Sequence, residues 1–158
     1  MTIQQNQEEL AMILTGKEIY KEIQENRICI EPFSDQNINP NSYDISIGTT
    51  INFYEENVVL DMTEENEFVE AVIPETGFLL RKNKFYFAMS KEVIKTDHYV
   101  PILHNRSGVA RKGLFTHITA DLMQVKHDGK VMLQLLPFAD TVIYPNETIA
   151  QISFWKIF

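Results

Sequence analysis

The hydrophobic pattern changes period once along the chain. Near the start, Ile19 and Ile23 fall four apart, on one face of a helix. Thr15 and Glu18 precede Ile23 at capping-box spacing, in which hydroxyl and carboxylate each satisfy an exposed amide of the first turn. Asn26 tolerates the left-handed conformation that ends a helix. Together they predict one short helix, about residues 16–25. Beyond it the period is two. Ile45 and Ile47 alternate with Ser46 and Gly48, and Phe85 and Phe87 with Tyr86 and Ala88. Val131, Leu133 and Leu135 alternate with Lys130, Met132 and Gln134, which sets the first group toward a core and Gln134 outward. Short apolar runs at 58–60, 78–80, 141–144 and 149–154 are punctuated by Pro, Gly, Asn and Asp. Many short strands of this kind predict an all-β sandwich or barrel with a helix near its start. Residues 1–11 have no period and read as a polar extension, and residues 12–158 as one domain without repeats or linkers.

Composition narrows the class. The 158 residues are 44% hydrophobic and 23% charged, as in a single globular domain. At this length roughly 70% of the unfolded surface can be buried, so no disulfide or metal staple is required. The start, MTIQQNQEEL, lacks the basic and apolar regions of a signal peptide, and no apolar run is long enough to span a membrane. The single cysteine, Cys29, forms no internal disulfide and is expected to pack in a strand; a cytoplasmic protein without a membrane partner is expected. No CxxC or HExxH pattern occurs, which leaves a zinc site without support. Net charge is −8 but unevenly spread: −2 over residues 1–27, −11 over 28–80, where no Lys or Arg occurs, and +5 over 81–158. Such acidity argues against a nucleic-acid polymer as partner, while a small anionic ligand needs only a local basic pocket. The acid-only stretch is expected to form a solvated outer face.

The candidate chemistry lies in residues 104–121. Arg106, Arg111 and Lys112 fall within seven residues, with Ser107 and Gly108 between. Gly108 permits close backbone approach, Ser107 offers a hydroxyl, and the planar fork of Arg106 suits a phosphate. An exposed basic turn leading into a strand explains the same triplet without any ligand, and spacing alone leaves both readings open.

Arg106–Leu114 and His117–Ala120 resemble the signature of the dCTP deaminase and dUTPase superfamily, which in deaminases reads GRSSLARLGL followed by HxTA. Residues 12–19 with 27–32 are similar to the deaminase N-terminal helix and following strand, 38–48 to an early PxSxDxxLG motif, and 145–152 to a late PGxxIAQL motif. The resemblance covers about residues 12–158 and is nearer the deaminase branch. It implies a distorted jelly roll (a dUTPase-like β-clip) assembled as a homotrimer, with nucleotide sites between subunits. Arg106, Ser107 and Gly108 would meet phosphates, with Ser107 and Arg111 also near the reacting end of the base. A strand over Ile118, Thr119 and Ala120 would offer backbone groups to the pyrimidine. His117 is expected to be a packed, structural histidine, and Asp44 either a turn or interface carboxylate or a ligand contact. No cofactor is implied, although Mg2+ could accompany a bound polyphosphate.

The sequence departs from that pattern at chemically decisive places. Gln124 falls on the family's aspartate and Gln134 on its glutamate, and the Ala120-to-Gly129 distance matches the family's, so no gap restores them. A carboxamide does not titrate in the useful range, and losing a general acid–base group costs about 10²–10⁴ in rate. Asn105 replaces a glycine before the Arg-Ser pair, and the closing tails of deaminases and dUTPases have no counterpart after Phe158. The expectation that follows is a catalytically inactive nucleotide-binding protein, with Gln124 and Gln134 as neutral pocket amides. It would sequester or sense a small nucleotide, linear or cyclic, as in phage–host conflict. The alternative is a divergent active dCTP deaminase or nucleotide hydrolase that uses Asp128 or His127. A third reading makes the acidic 28–80 face a protein-interaction module.

Overall fold

The computed structural model describes residues 12–158; the polar extension 1–11 lies outside them. Helix α1 spans Gly16–Gln24 and carries the capping box: Glu18 N–H donates to Thr15 Oγ1, and Thr15 N–H to Glu18 Oε2 at 2.7 Å. Ile19 is fully buried, and Asn26 takes the left-handed conformation just past the helix, with φ of 57°. A Cβ on Gly16 would meet the Asn39 carbonyl oxygen and Ile38, so only glycine lets the helix start seat against residues 38–40.

Eleven strands follow: β1 (Cys29–Glu31), β2 (Tyr43–Ser46), β3 (Thr50–Phe53), β4 (Val69–Val72), β5 (Phe78–Leu80), β6 (Tyr86–Lys95), β7 (Tyr99–Asn105), β8 (Leu114–Phe115), β9 (Asp128–Pro137), β10 (Thr141–Ile143) and β11 (Thr148–Lys156). A single helical turn, α2 (Ser107–Ala110), joins β7 to β8. All pairings between these strands are antiparallel. One sheet runs β4-β3-β6-β9-β8 with β1 also on β6, a second runs β2-β11-β7, and β10 pairs β5. The two larger sheets share one core, Ile45, Leu103, Ile152 and Phe154 from one and Ile51, Ala88, Ile94, Leu133 and Leu135 from the other. Full burial of each such side chain stabilises by about 1.5–3 kcal/mol.

Several expectations change. Residues 58–60 form no strand: Val58, Val59 and Leu60 lie exposed in a loop flanked by acids, with no facing strand to bury them. Cys29 lies in β1 but is exposed, on the outer side of a three-residue strand whose centre, Ile30, is buried. The acidic side chains of the 55–75 stretch are solvated, as expected.

Candidate functional site

Strand β11 organises the site because it lies between β2 and β7. Its Gln151 pairs in register with Asp44 on one side and His104 on the other. Residues directly opposite on antiparallel strands share a sheet face, so these three form one polar row. The pattern that places Gln151 there is legible afterwards, as a polar position among the buried residues of β11.

Gln151 lines two cavities. The first, about 330 Å3, is lined by Asn39, Asp44, Arg106, Ser107, Gly108, Val109, Lys112, Glu147, Thr148 and Gln151. Arg106 caps α2 at the end of β7 and reaches back to β2 and β11. Its Nη2 lies 3.0 Å from Asp44 Oδ2 and its Nη1 donates to the Thr148 carbonyl at 3.0 Å. Asn39 Nδ2 donates to the other Asp44 oxygen at 2.7 Å. A buried carboxylate thus already occupies part of the guanidinium fork. The cleft holds two cations, Arg106 and Lys112, against two carboxylates, Asp44 and Glu147. Within one chain it is therefore balanced, not basic. A phosphate entering it must compete with Asp44 for Arg106. A Cβ on Gly108 would meet nothing within 4 Å, so this wall of the cleft is open.

The cleft does not fit a protein-held metal. Asp44 is taken up by Arg106 and Asn39, and Glu147 Oε2 accepts the Tyr144 amide. Among the described residues no group of three or more His, Cys, Asp or Glu converges on a cation position.

The second cavity, about 400 Å3, is lined by Ile13, Asn41, Ser42, His104, Asn105, His117, Gln151 and Ser153. His104 Nε2 is 2.7 Å from Ser153 Oγ, which also accepts the Trp155 indole N–H at 2.9 Å. Burial, aided by the neighbouring His117, holds the His104 imidazolium below its ordinary range. His117 is half-buried, and its Nδ1 has no hydrogen-bond partner among the described residues. A histidine packed for structure alone would be expected to place that atom on a partner.

The pyrimidine-facing segment differs from expectation. Ile118, Thr119 and Ala120 are exposed and form no strand. The backbone amides of Ile118 and Thr119 donate to Gln134 Oε1 at 3.1 and 3.0 Å, and the backbone N–H of Gln134 donates to the Thr116 carbonyl. The β9 side chain replaces a strand partner where the ladder with β8 stops, so two of the expected base contacts are held within the chain. Gln134 is half-buried on the outer side of β9, while Val131, Leu133 and Leu135 are buried, as the alternation requires. Arg111 and Gln124 are exposed and line neither cavity. Asp128 opens β9, paired with Lys95 at 2.8 Å, and lies ~20 Å along the strand from Gln134, too far to act for it within a chain. His127 Nε2 rests 3.2 Å from the Gly129 carbonyl. Lys112 stood in the basic cluster read from sequence, whereas Asn39, Glu147, Thr148 and Gln151 were not singled out there.

An antiparallel β-sandwich with a polar cleft beside the β7–β8 turn defines the class of protein. The dCTP deaminase-like domain family matches residues 13–157. A protein named dCTP deaminase, dUMP-forming, from Clostridium botulinum (strain Eklund 17B / Type B) is 42% identical over 146 residues, covering 92% of this chain and 83% of that one. A protein of the same name from Cytophaga hutchinsonii is 36% identical over the same share of this chain. The crystal structure of 2'-deoxycytidine 5'-triphosphate deaminase from Agrobacterium tumefaciens superposes with a TM-score of 0.72 at 17% identity, over 92% of this chain and 48% of that chain, so this chain spans about half its length. The chain belongs to the dCTP deaminase-like family, with an all-β, dUTPase-like fold.

These relatives correct the expectation of an inactive nucleotide binder, for which neither a pseudoenzyme nor a phage-related reading finds support: proteins 36–42% identical over most of the chain are named as deaminases. The physical reason lies at Gln134. Its oxygen accepts two backbone amides, a task an amide and a carboxylate perform alike, so glutamine there is compatible with an intact site framework. Among the described residues no helix is long and apolar enough to cross a membrane.

Proposed function

We propose that the chain is a dCTP deaminase of the dUMP-forming kind. The observation that carries this reading is its 42% identity, over 92% of its length, to relatives of that name. In the deamination step water adds to the ring carbon bearing the amino group and the C–N bond breaks; one proton of that water leaves with the amino group as ammonia and the other ends on the neighbouring ring nitrogen. Forming dUMP consumes a second water, which attacks phosphorus at the sugar end of the triphosphate as the bond to pyrophosphate breaks. Only water is consumed, so neither step requires a redox cofactor; Mg2+ would be carried by the phosphates.

Arg106, Ser107 and Lys112 supply the charge-assisted and hydroxyl contacts to phosphate, and Gly108 leaves the room. Gln134 keeps its oxygen on Ile118 and Thr119, which leaves Nε2 to donate toward the base or the attacking water. It cannot carry a proton. We assign the proton relay to His117, which lines the second cavity, precedes in sequence the amide that Gln134 holds, and has an unpartnered Nδ1. Arg111 and Gln124, outside the cleft of one chain, would act across a subunit boundary, with Ala120 completing the base-reading segment. The outer face of β6, β8 and β9 carries Phe87, Met89, Met132, Phe115 and Leu136 around Gln134, an apolar surface suited to covering by a second copy in a homotrimer.

Incubation with dCTP, with ammonia, pyrophosphate and nucleotide products quantified, tests this directly. One ammonia and one pyrophosphate per dUMP is expected, with His117→Ala slower by about 10²–10⁴-fold. Accumulation of dUTP without pyrophosphate would remove the second step from the proposal, and unchanged dCTP after prolonged incubation would overturn it.

A further inference from the structure

The turn that carries Arg106, Ser107 and Gly108 is closed at its base by one side chain. Asn105, the last residue of β7, donates from Nδ2 to the Leu114 carbonyl at 2.9 Å. Its Oδ1 accepts the Thr116 amide at 2.8 Å and also the Thr116 hydroxyl. Residues 106–113 thus form a loop whose two ends are stitched together by a side chain at the end of β7 that bonds the backbone at and just past β8. The ladder does not do this: β8 pairs only with β9. The backbone of Asn105 is itself fixed, because its carbonyl accepts Gln151 Nε2 at 3.0 Å, while Gln151 Oε1 accepts the Ser42 hydroxyl at 2.8 Å. Thr116 is fully buried, so its amide and hydroxyl have no recourse to water when Asn105 is lost.

We infer that Asn105 is a positioning residue, whose side chain sets the Arg106–Lys112 turn at the height from which Arg106 and Ser107 reach phosphate; the inference rests on the nucleotide reading of that cleft. Asparagine is suited to the task by geometry. It offers a donor and an acceptor on one planar group, and the far end of the turn presents a carbonyl, at Leu114, and an N–H, at Thr116. Alanine offers neither. Aspartate would set a second acceptor against the Leu114 carbonyl. The effect reaches the ligand through Arg106, which adjoins Asn105 in sequence and already divides its fork between Asp44 and Thr148. A small displacement of the turn therefore tips Arg106 toward its internal partners and away from phosphate.

The test uses the full chain with two probes, dCTP and inorganic tripolyphosphate, in calorimetric titrations of wild type, Asn105→Ala, Thr116→Val and Thr116→Ser. Asn105→Ala should weaken both probes by the same factor, about tenfold, the equivalent of one charge-assisted contact. Thr116→Val should lose part of that, and Thr116→Ser, which keeps the hydroxyl, should bind as wild type. Amide hydrogen exchange supplies a readout that needs no ligand. Exchange should quicken across 107–116 in Asn105→Ala, while the Val131 amide, bonded to Ser90 elsewhere in the fold, keeps its protection. Unchanged tripolyphosphate affinity in Asn105→Ala would overturn the inference, as would exchange that rises equally at Val131, the mark of a merely structural loss. A wild type that binds tripolyphosphate but not dCTP would sink the nucleotide reading alone, and the Asn105 comparison would still decide the positioning role.

Discussion

Gly108 separates the ligand from the fold more cleanly than any other residue of the cleft. A Cβ placed there meets no atom within 4 Å, and φ is not in the left-handed region, so neither close packing nor backbone resists a first side-chain atom. Within the single turn of α2, replacing glycine by a better helix former is neutral or mildly stabilising, by up to about 1 kcal/mol. Gly108→Leu should therefore leave the melting temperature unchanged or slightly raised while the isobutyl group fills space beside Ser107 and Arg106. The expected outcome is loss of dCTP binding by titration calorimetry with an unaltered thermal melt. Retained affinity would mean that the phosphates lie elsewhere. The triplet itself was visible in sequence only as a basic turn, and it was its resemblance to the deaminase signature, not its spacing, that pointed to phosphate. Its partners were not visible. Nothing in the sequence brings Asp44 or Gln151 to Arg106, since those contacts come from the register of β2 and β7 on β11, a long-range property.

At the scale of elements, local rules succeeded where local forces decide. The capping box formed at Thr15 and Glu18, and the alternation of β9 placed Leu133 inside and Gln134 outside. They failed at 58–60, where apolar residues suggest a strand that no neighbour completes; the strand that the family resemblance implied at 118–120 does not form either. Helix α1 shows how an element is then tied to the sheets. Glu22, buried near its end, accepts Arg27 through both oxygens at 2.5 Å and the Tyr99 hydroxyl of β7 at 2.6 Å. The hydrogen bonds from Arg27 hold the Glu22 carboxyl below its ordinary value of 4.5, against the opposing effect of burial. The folded form thus binds its proton less readily than the unfolded chain does. The stabilisation is complete above pH 4.5 and is lost as pH falls through the depressed folded value. Burial and the same contact push the Tyr99 phenol up to about 12, so the latch is unaffected near neutrality. Chemical denaturation between pH 7 and pH 3 should show a steeper loss of stability in wild type than in Glu22→Gln. Equal slopes would show that the latch contributes nothing to acid sensitivity.

Over the whole molecule, charge and apolar surface point the same way. The acid-only region lies solvated along the 55–75 loop side, while the outer face of β6 and β9 pairs Met89 with Met132 across the strands, both more than two-fifths exposed, with Phe115 exposed on β8. A patch with an apolar centre and no carboxylate among these residues, on a chain of net charge −8, is a surface where like-charge repulsion between copies is small. Gln134 lies within it, so a neighbour seated there would close over the group that holds Ile118 and Thr119 and could deliver the side chains that one chain leaves distant, Arg111 and Gln124. If the copies assemble in this way, light scattering should give three times the 18.4 kDa of one chain. Met132→Glu, which adds a carboxylate at the centre of the patch without touching the core, should then yield monomers that keep the circular dichroism of the wild type but neither deaminate dCTP nor bind it tightly. The coupling is the informative part. A monomeric variant that retains full turnover would show the site to be complete within one chain, and a variant still trimeric would place the interface on another face.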